Sequence, residues 1–414
     1  MLEKAILHIG LHKTGSSSIQ ASLQGYNDGG CFYAELGWAN HSIPLYTAFS
    51  QNANPYHIWA KQGVNTEQIH QIKEDVQRQL EQQLSSPNHH TIIVSGEDLS
   101  QFSQGETDAF VAFLRERCQR IIAVAYVRDP LDYAASAFQQ LVKGGSKQIP
   151  SSIGQQIQAK IGIWQKALGA ENVQIRPFDR DTMRNGCVVQ DFCQLAGLDA
   201  AKIAVKRRNE SLSGAAIKIL FHLNHTSPLQ YGDAMLARTR QRLIKLLADS
   251  FADLPGIDKH LLTSRIDQQD MDYIKANQLI GSSSSSPIDP SPSGLTLEQW
   301  LSQLDAEIHA RLSDWLIAQG QISSWQGTTS QLIHRTFYAV LHTDQLHTSA
   351  KLLMKSALGL RNHPAGNLSD AMELLELARL GRPSNNKINL ALQQLKQQAD
   401  PPNPTGPGFR RARN

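Results

Sequence analysis

The sequence is poor in the features that mark metal-binding, secreted and membrane proteins. Only four of its 414 residues are cysteines, and the closest pair, Cys187 and Cys193, has the spacing of neither a zinc knuckle nor a redox motif. No run of 18 apolar residues occurs, so we expect no membrane-spanning helix. The few polar residues before the first apolar run are too short for a secretory signal. We therefore expect reduced thiols, no bound metal and a cytoplasmic location.

A strong charge bias is also missing. The 40 Lys and Arg residues nearly balance the 37 Asp and Glu residues, which leaves a net charge of +3. This balance argues against nucleic acid as a partner. Hydrophobic residues make up 41% of the chain, enough for a sizeable core. The length favours one large domain with an appendage.

Short apolar runs alternate with helical patterns in the first half of the chain. The strand candidates are residues 5–9, 91–95, 121–127 and 172–176, and the helix candidates are residues 66–84, 105–118, 151–168 and 186–196. Strands separated by helices predict a parallel sheet flanked by helices, which is an α/β fold. Ligands of such sheets bind at the carboxyl ends of the strands.

The rest of the chain is predicted to be helical and interrupted by low-complexity segments. We predict four parts: a main domain over residues 1–280, a Ser/Pro-rich linker or loop over 281–294, a helical extension over 295–398, and a disordered tail over 399–414. Thr296 and Gln299 have the spacing of a capping box, which predicts that a helix restarts there. Residues 371–395 weakly match a tetratricopeptide-type repeat, although a small helical extension fits equally well. These helices could bind a protein partner.

The first apolar run leads into a glycine turn of the kind that binds anions. Gly10 and Gly15 have the spacing of a phosphate-binding loop, and hydroxyl residues follow where a helix should start. A nucleoside-triphosphatase has its lysine directly after the second glycine, but Ser16 occupies that position here. The lysine, Lys13, lies inside the loop instead. The loop therefore predicts a P-loop-like anion site of a different class.

This loop resembles the 5′-phosphosulfate loop of sulfotransferases that use 3′-phosphoadenosine 5′-phosphosulfate (PAPS). The matching residues are Lys13, Thr14, Gly15, Ser16, Ser17 and Ser18. A second match is Arg128 at the end of a predicted strand, with Ser136 eight residues later. A third, looser match consists of Arg176, Pro177 and Phe178, followed by Gly186, Asp191 and Phe192. The resemblance spans about residues 5–225 and does not extend beyond them.

The resemblance implies a function for each matched residue. Lys13 would stabilise charge on the leaving oxygen, and the loop would hold the 5′-phosphate. Arg128 and Ser136 would bind the 3′-phosphate, for which the arginine fork is suited. The implied enzyme is soluble and bacterial, and it transfers a sulfuryl group to a hydroxyl of a carbohydrate or glycolipid acceptor.

The residue that accepts the acceptor's proton is left open by the sequence. In carbohydrate sulfotransferases the base is often a His or Glu shortly after the first helix, and His41 lies 28 residues beyond Lys13. Histidine can accept a proton near neutrality. Glu97, at the end of a predicted strand, is the rival candidate, and His12 is a third. Glu97 could equally orient the substrate or the base.

Two other classes of function remain as alternatives. A P-loop nucleotide-dependent kinase would bind its nucleotide at the same loop, although the lysine after Gly15 is missing. A non-catalytic scaffold could keep the nucleotide site and use its C-terminal helices for binding. The presence of Lys13, Arg128 and Ser136 together argues against the scaffold.

Overall fold

The structure is a computed structural model. It describes residues 1–51, 58–59, 63–86, 88–206, 211–227, 234–279, 294–362, 367–382 and 384–399. Residues 281–293 of the predicted linker and 400–414 of the predicted tail lie outside the described residues.

The described part of the chain contains a five-stranded sheet whose strands are all parallel. The strands are β1 (Leu2–Ile9), β2 (Cys31–Tyr33), β3 (Thr91–Gly96), β4 (Cys118–Val127) and β5 (Val173–Pro177), in the spatial order β2-β3-β1-β4-β5. The predicted fold class, a parallel α/β sheet flanked by helices, is confirmed. Four strands were expected from the sequence, whereas the edge strand β2 has only three residues and gives no recognisable pattern.

Helices connect and cover the strands. They are α1 (Ser16–Leu23), α2 (Ser42–Phe49), α3 (Thr66–Leu84), α4 (Gln104–Arg115), α5 (Pro130–Lys143), α6 (Ile157–Leu168) and α7 (Val188–Ala196). The predicted helix over 105–118 ends earlier, because Cys118 already begins β4. The predicted helix over 151–168 starts only at Ile157. Its start is fixed by the Asp270 carboxylate, which accepts hydrogen bonds from successive backbone N–H groups, and by Gln156 in a left-handed conformation.

Strand β1 is central and is covered on both faces. Leu7 and Ile9 belong to one hydrophobic cluster, and Ile6 belongs to the cluster on the opposite face. A strand buried on both faces reads as a continuous apolar run rather than as an alternation. This is why the run over residues 5–9 was recognisable in the sequence.

The carboxyl ends of three adjacent strands form one edge, which positions the site. Gly10, Glu97 and Arg128 are the residues that directly follow β1, β3 and β4. The chain leaves β1 toward β2 on one side of the sheet and leaves β4 toward β5 on the other. The junction between β1 and β4 is therefore a topological switch point, where open α/β sheets bind ligands.

The chain forms two compact units that are not contiguous in sequence. The first comprises residues 1–214 and 255–300, and the second comprises 215–254 and 301–414. Residues 215–254, which lie inside the predicted main domain of residues 1–280, group with the later helices. The remaining helices of the first unit are α10 (Gln268–Ala276) and the start of α11 (Leu297–Ser302). The Thr296–Gln299 capping box is formed, which confirms the predicted helix restart.

The second unit is helical where it is described. Its helices are α8 (Gly214–Thr226), α9 (Ala234–Ser250), α12 (Ala306–Ala318), α13 (Thr329–Asn362), α14 (Leu368–Gly381) and α15 (Asn386–Ala399). Helices α13, α14 and α15 bury a cluster rich in alanine, including Ala357, Ala371 and Ala378. Within the described ranges, no helix combines the length and the apolarity that crossing a bilayer requires.

Candidate active site

The loop between β1 and α1 is shaped by its two glycines. A Cβ atom on Gly10 would lie 2.7 Å from Ser16 Oγ and 3.0 Å from the Cα of Glu97. Gly15 has a φ of +79°, and a Cβ there would lie 2.8 Å from a methyl group of Val188. Side chains would clash at both positions, and Gly15 has a backbone conformation that other residues rarely adopt. The tight turn expected from the sequence is thus formed.

Lys13 lies at the apex of this loop in a left-handed conformation, with a φ of +66°. This conformation is uncommon for a residue with a side chain and often marks functional sites. Its Nζ donates a hydrogen bond to Oε1 of Gln140 on α5, at 2.9 Å. The next residue, Thr14, is fully buried and donates through Oγ1 to the carbonyl of Leu11, at 2.5 Å. The loop is thus fixed from within, and the lysine points toward α5.

The start of α1 offers hydrogen-bond donors to an anion. The backbone N–H groups of Ser18 and Ile19 both donate to the carbonyl of Gly15. The N–H groups of the residues just before them lie at the positive end of the helix dipole, where an anion would bind. Ser16 is only 2% exposed, and its Oγ has no hydrogen-bond partner among the described residues. Ser17 is exposed and Ser18 is half-buried. A buried hydroxyl without a partner is costly, so a ligand at this point would satisfy it.

Arg128 joins the second sequence motif to the first. Its guanidinium Nη1 donates to the backbone carbonyl of Lys13 at 3.1 Å, although the two residues are 115 positions apart. The guanidinium carbon lies 5.6 Å from the centre of the Phe178 ring, and Phe178 also contacts Gly15. Burial lowers the pKa of Arg128 from its ordinary value. A half-buried cation at the switch point thus braces the loop that carries Lys13.

Ser136 lies on the face of α5 that approaches the loop. It is half-buried and one helical turn before Gln140, which accepts the hydrogen bond from Lys13. Residues four apart on a helix share a face. Helix α5 begins with Pro130 in its first turn and is capped by the side chain of Asp129, which accepts two backbone hydrogen bonds. The predicted helix after Arg128 is therefore formed, and Ser136 shares a face of it with Gln140.

Acidic residues lie on the other side of the loop, after β3. Oε2 of Glu97 lies 3.3 Å from Nδ1 of His12, and Oδ1 of Asp98 lies 4.0 Å from the other ring nitrogen of His12. The side chain of Glu97 is 23% exposed and that of His12 is 41% exposed. The structure thus brings two of the candidate bases together at the edge next to Lys13.

His41, the remaining candidate base, has a different environment. Its side chain is entirely buried and its ring packs on Tyr33, with ring centres 4.5 Å apart. Its Nδ1 accepts a hydrogen bond from the backbone N–H of Ser95 at 3.1 Å. Burial lowers its pKa to about 4, against a smaller opposing effect of the Ala34 carbonyl. This imidazole is therefore neutral near pH 7.

Several residues at the site were not singled out from the sequence. Gln140 could have been found by its helical spacing from Ser136. Gln155 is buried, and its side-chain oxygen accepts a hydrogen bond from the backbone N–H of Arg128 at 3.3 Å. No sequence signal identifies Gln155, because an irregular segment presents it. Asp191 was noted in the looser third match, and it is a buried acceptor for Tyr126 and Arg176.

The thiols and potential metal ligands add no further site. The four cysteines are free and buried, and burial raises the pKa of the Cys118 thiol to about 11. Within the described parts of the chain, no group of three or more His, Cys, Asp or Glu side chains is arranged to hold a metal ion.

Neither a protein-family model nor a curated protein matches this sequence. Among solved structures, the chain is similar to a sulfotransferase from Alicyclobacillus acidocaldarius. The two share 13% sequence identity with a TM-score of 0.33, and the match covers 55% of this chain and 95% of that one. A likeness of this size does not carry a functional assignment, which must therefore come from the chemistry of the site.

Proposed function

We propose that this protein is a sulfotransferase that transfers a sulfuryl group from PAPS to a hydroxyl group of a carbohydrate or glycolipid. The observation that carries the proposal is the hydrogen bond from Arg128 to the carbonyl of Lys13. It joins two motifs that resemble the two phosphate-binding motifs of PAPS-dependent enzymes. A chance resemblance of two separate segments would not require them to meet at the ligand-binding edge of the sheet.

The residues present fit a nucleotide that carries two separate phosphate groups. On one side, Gly10 and Gly15 permit the tight turn of the loop, and Ser16 has a buried hydroxyl without a hydrogen-bond partner among the described residues. On the other side, Arg128 and Ser136 would hold the 3′-phosphate. An arginine fork suits two phosphate oxygens, and helix starts bind anions.

PAPS, when bound, supplies the sulfuryl group and a phosphate leaving group. In this proposal, Lys13 stabilises the negative charge that develops on the leaving oxygen. A cation that acts on transition-state charge in a shielded site contributes about 3 kcal/mol. The loop amides orient the 5′-phosphate, so that binding and charge stabilisation are divided between backbone and side chain.

Glu97 is the base in this proposal. Its carboxylate is partly exposed at the edge next to Lys13, and one of its oxygens is close to Nδ1 of His12. It would accept the proton of the acceptor hydroxyl, while His12 holds the carboxylate in place. We favour Glu97 over His41 because Nδ1 of His41 already accepts a hydrogen bond and its ring is sealed from solvent. A general base must reach the proton that it removes.

The proposal is tested by incubation with ³⁵S-labelled PAPS and a panel of acceptors. The panel contains glucose, galactose, N-acetylglucosamine, lactose, galactosylceramide and short aliphatic alcohols. We expect label to be transferred to at least one sugar-containing acceptor, and Lys13→Ala to lose this transfer. Transfer only to the aliphatic alcohols would contradict the acceptor class. A protein that binds ATP but not the product 3′-phosphoadenosine 5′-phosphate (PAP) would contradict the reaction itself.

A further inference from the structure

Residues 40–42 form a clamp on the segment that carries Glu97. The backbone N–H of His41 donates to the carbonyl of Ser95 at 2.9 Å, and the backbone N–H of Ser95 donates back to Nδ1 of His41 at 3.1 Å. Ser42 continues the contact, because its Oγ accepts a hydrogen bond from the backbone N–H of Asp98 at 2.9 Å. Glu97 therefore lies between Ser95 and Asp98, whose backbone groups are both held by hydrogen bonds to the clamp.

The clamp takes the place of a neighbouring strand. Strand β2 pairs with β3 only as far as Tyr33 and Ile93, and Ala34 adds one further hydrogen bond to Ile93. The chain then leaves the sheet and returns at His41 to pair with Ser95. A Cβ on Gly96 would lie 3.2 Å from the backbone nitrogen of Ser42, so the two segments are in close contact. The end of β3 is thus held by His41 and Ser42 where β2 no longer reaches.

The tautomer of His41 follows from this contact. Since the N–H of Ser95 is a donor, Nδ1 must be the unprotonated nitrogen, and the ring proton is on Nε2. A protonated ring would also carry a proton on Nδ1, and that N–H would face the backbone N–H of Ser95, so two donors would oppose each other. Nδ1 therefore acts as a fixed acceptor that orients the backbone of β3.

We infer that His41 is a positioning residue that holds residues 95–98, and thereby the carboxylate of Glu97, at the carboxyl end of β3. This inference rests on the proposed function, in which Glu97 is the base. The side chain of His41 acts through the backbone of Ser95 and takes no proton from the acceptor. A base displaced by about 1 Å can lose about 100-fold in rate.

Three substitutions at one position separate the positioning role from a catalytic one. His41→Asn places an amide oxygen where Nδ1 was, so it keeps an acceptor for Ser95 but has no basic nitrogen. His41→Ala removes the acceptor. His41→Gln carries its amide oxygen one bond too far, near the position of Nε2. Transfer from labelled PAPS to lactose, or to the panel member that reacts fastest, is measured across pH 5–8 for each variant.

We expect His41→Asn to keep kcat within about threefold of the natural protein and to leave its pH profile unchanged. His41→Ala and His41→Gln should lower kcat about 10- to 100-fold without changing the affinity for PAP. Leu114→Ala truncates a buried residue just before β4, at the amino ends of the strands. This variant is the control for lost stability and should keep kcat. If His41→Asn is as slow as His41→Ala and loses the limb near neutrality, His41 is the base and the inference is overturned.

A second measurement does not depend on activity. In ¹⁵N-histidine-labelled protein, the ring signals of His41, assigned by their loss in His41→Asn, should show the Nε2–H tautomer without titration between pH 5 and 8. A ring that titrates near pH 6.5, or that carries its proton on Nδ1, would overturn the inference. If these signals are as expected but no acceptor is labelled, the proposed function fails while the clamp on Ser95 stands.

Discussion

The two sides of the loop at residues 10–15 differ in charge and in how they are held. On the β4 side, Arg128 contacts the loop backbone directly and Gln140 contacts the side chain of Lys13. On the β3 side, the carboxylate of Glu97 lies against His12 of the loop, and buried groups hold the backbone of the residues around Glu97. Cationic groups on one side suit a phosphate leaving group, and a carboxylate on the other suits an acceptor hydroxyl.

The difference indicates how such a site keeps its lysine and its carboxylate from forming an ion pair. If Lys13 and Glu97 shared one side, they would pair, and each would shift the protonation of the other. Lys13 instead donates to Gln140 on α5, and the carboxylate of Glu97 lies against His12. In the proposed function, phosphate binding and proton transfer therefore depend on residues that follow different strands.

The largest expected effect comes from the β3 side. Glu97→Gln keeps the shape of the side chain but removes the base, so it should lower kcat by about two to four orders of magnitude. Binding of PAP, measured by calorimetry, should not change, because no phosphate contact is lost. Glu3→Gln, at the exposed opposite end of β1, is the matched control. Near-normal turnover in Glu97→Gln would show that Glu97 is not the base.

The second-largest expected effect on kcat comes from Lys13, whose side chain contacts the β4 side. Lys13→Ala should lower kcat about 10²- to 10³-fold, because its charge acts mainly in the transition state. Affinity for PAP should fall much less, since the loop amides and Ser16 remain. Lys4→Ala, near the amino end of β1, is the control. Equal losses of kcat and of PAP affinity would mean that Lys13 is only a binding residue.

A smaller effect is expected on the pH dependence of stability, from a buried histidine that contacts the end of β3. His8 is fully buried in β1, with Nδ1 2.7 Å from Oγ of Ser95, and burial lowers its pKa to about 3. The unfolded chain therefore binds a proton below pH 6.5 that the folded chain does not bind. The free energy of unfolding should fall by about 2 kcal/mol for this histidine between pH 7 and pH 5.

Urea denaturation of the natural protein and of His8→Asn at pH 7 and pH 5 measures this effect. Asn keeps a polar side chain that can hydrogen-bond to Ser95 and does not titrate, so the variant should lose part of the pH dependence. His41, which is also buried and neutral, retains its own share in both proteins. An unchanged pH dependence in His8→Asn would mean that His8 is not the source.

The sequence predicted the β4 side of the site better than the β3 side. Buried parallel strands give continuous apolar runs, and glycine loops give a fixed spacing, so the positions of Lys13 and Arg128 could be anticipated. The clamp at His41 could not, because hydrogen bonds from a side chain to the backbone of another segment leave no spacing signal. The histidine was noticed, but its burial and its bond to Ser95 depend on where the chain returns after β2.

The start of α6 was missed for a similar reason. The predicted helix included residues 151–156, but the carboxylate of Asp270 holds their end in a turn from more than 100 positions away. This turn also presents Gln155 to the backbone of Arg128. Tertiary contacts of this kind override local propensity.

The central claim is that the loop and Arg128 together bind a nucleotide with a 3′-phosphate. Calorimetric titration with PAP and with adenosine 5′-phosphate tests it directly, in the natural protein, in Arg128→Ala and in Arg120→Ala, which changes the other end of β4. We expect PAP to bind about 10- to 100-fold more tightly than adenosine 5′-phosphate in the natural protein and in Arg120→Ala, and this preference to disappear in Arg128→Ala. Equal affinity for the two nucleotides in the natural protein, or a preference that survives in Arg128→Ala, would contradict the account.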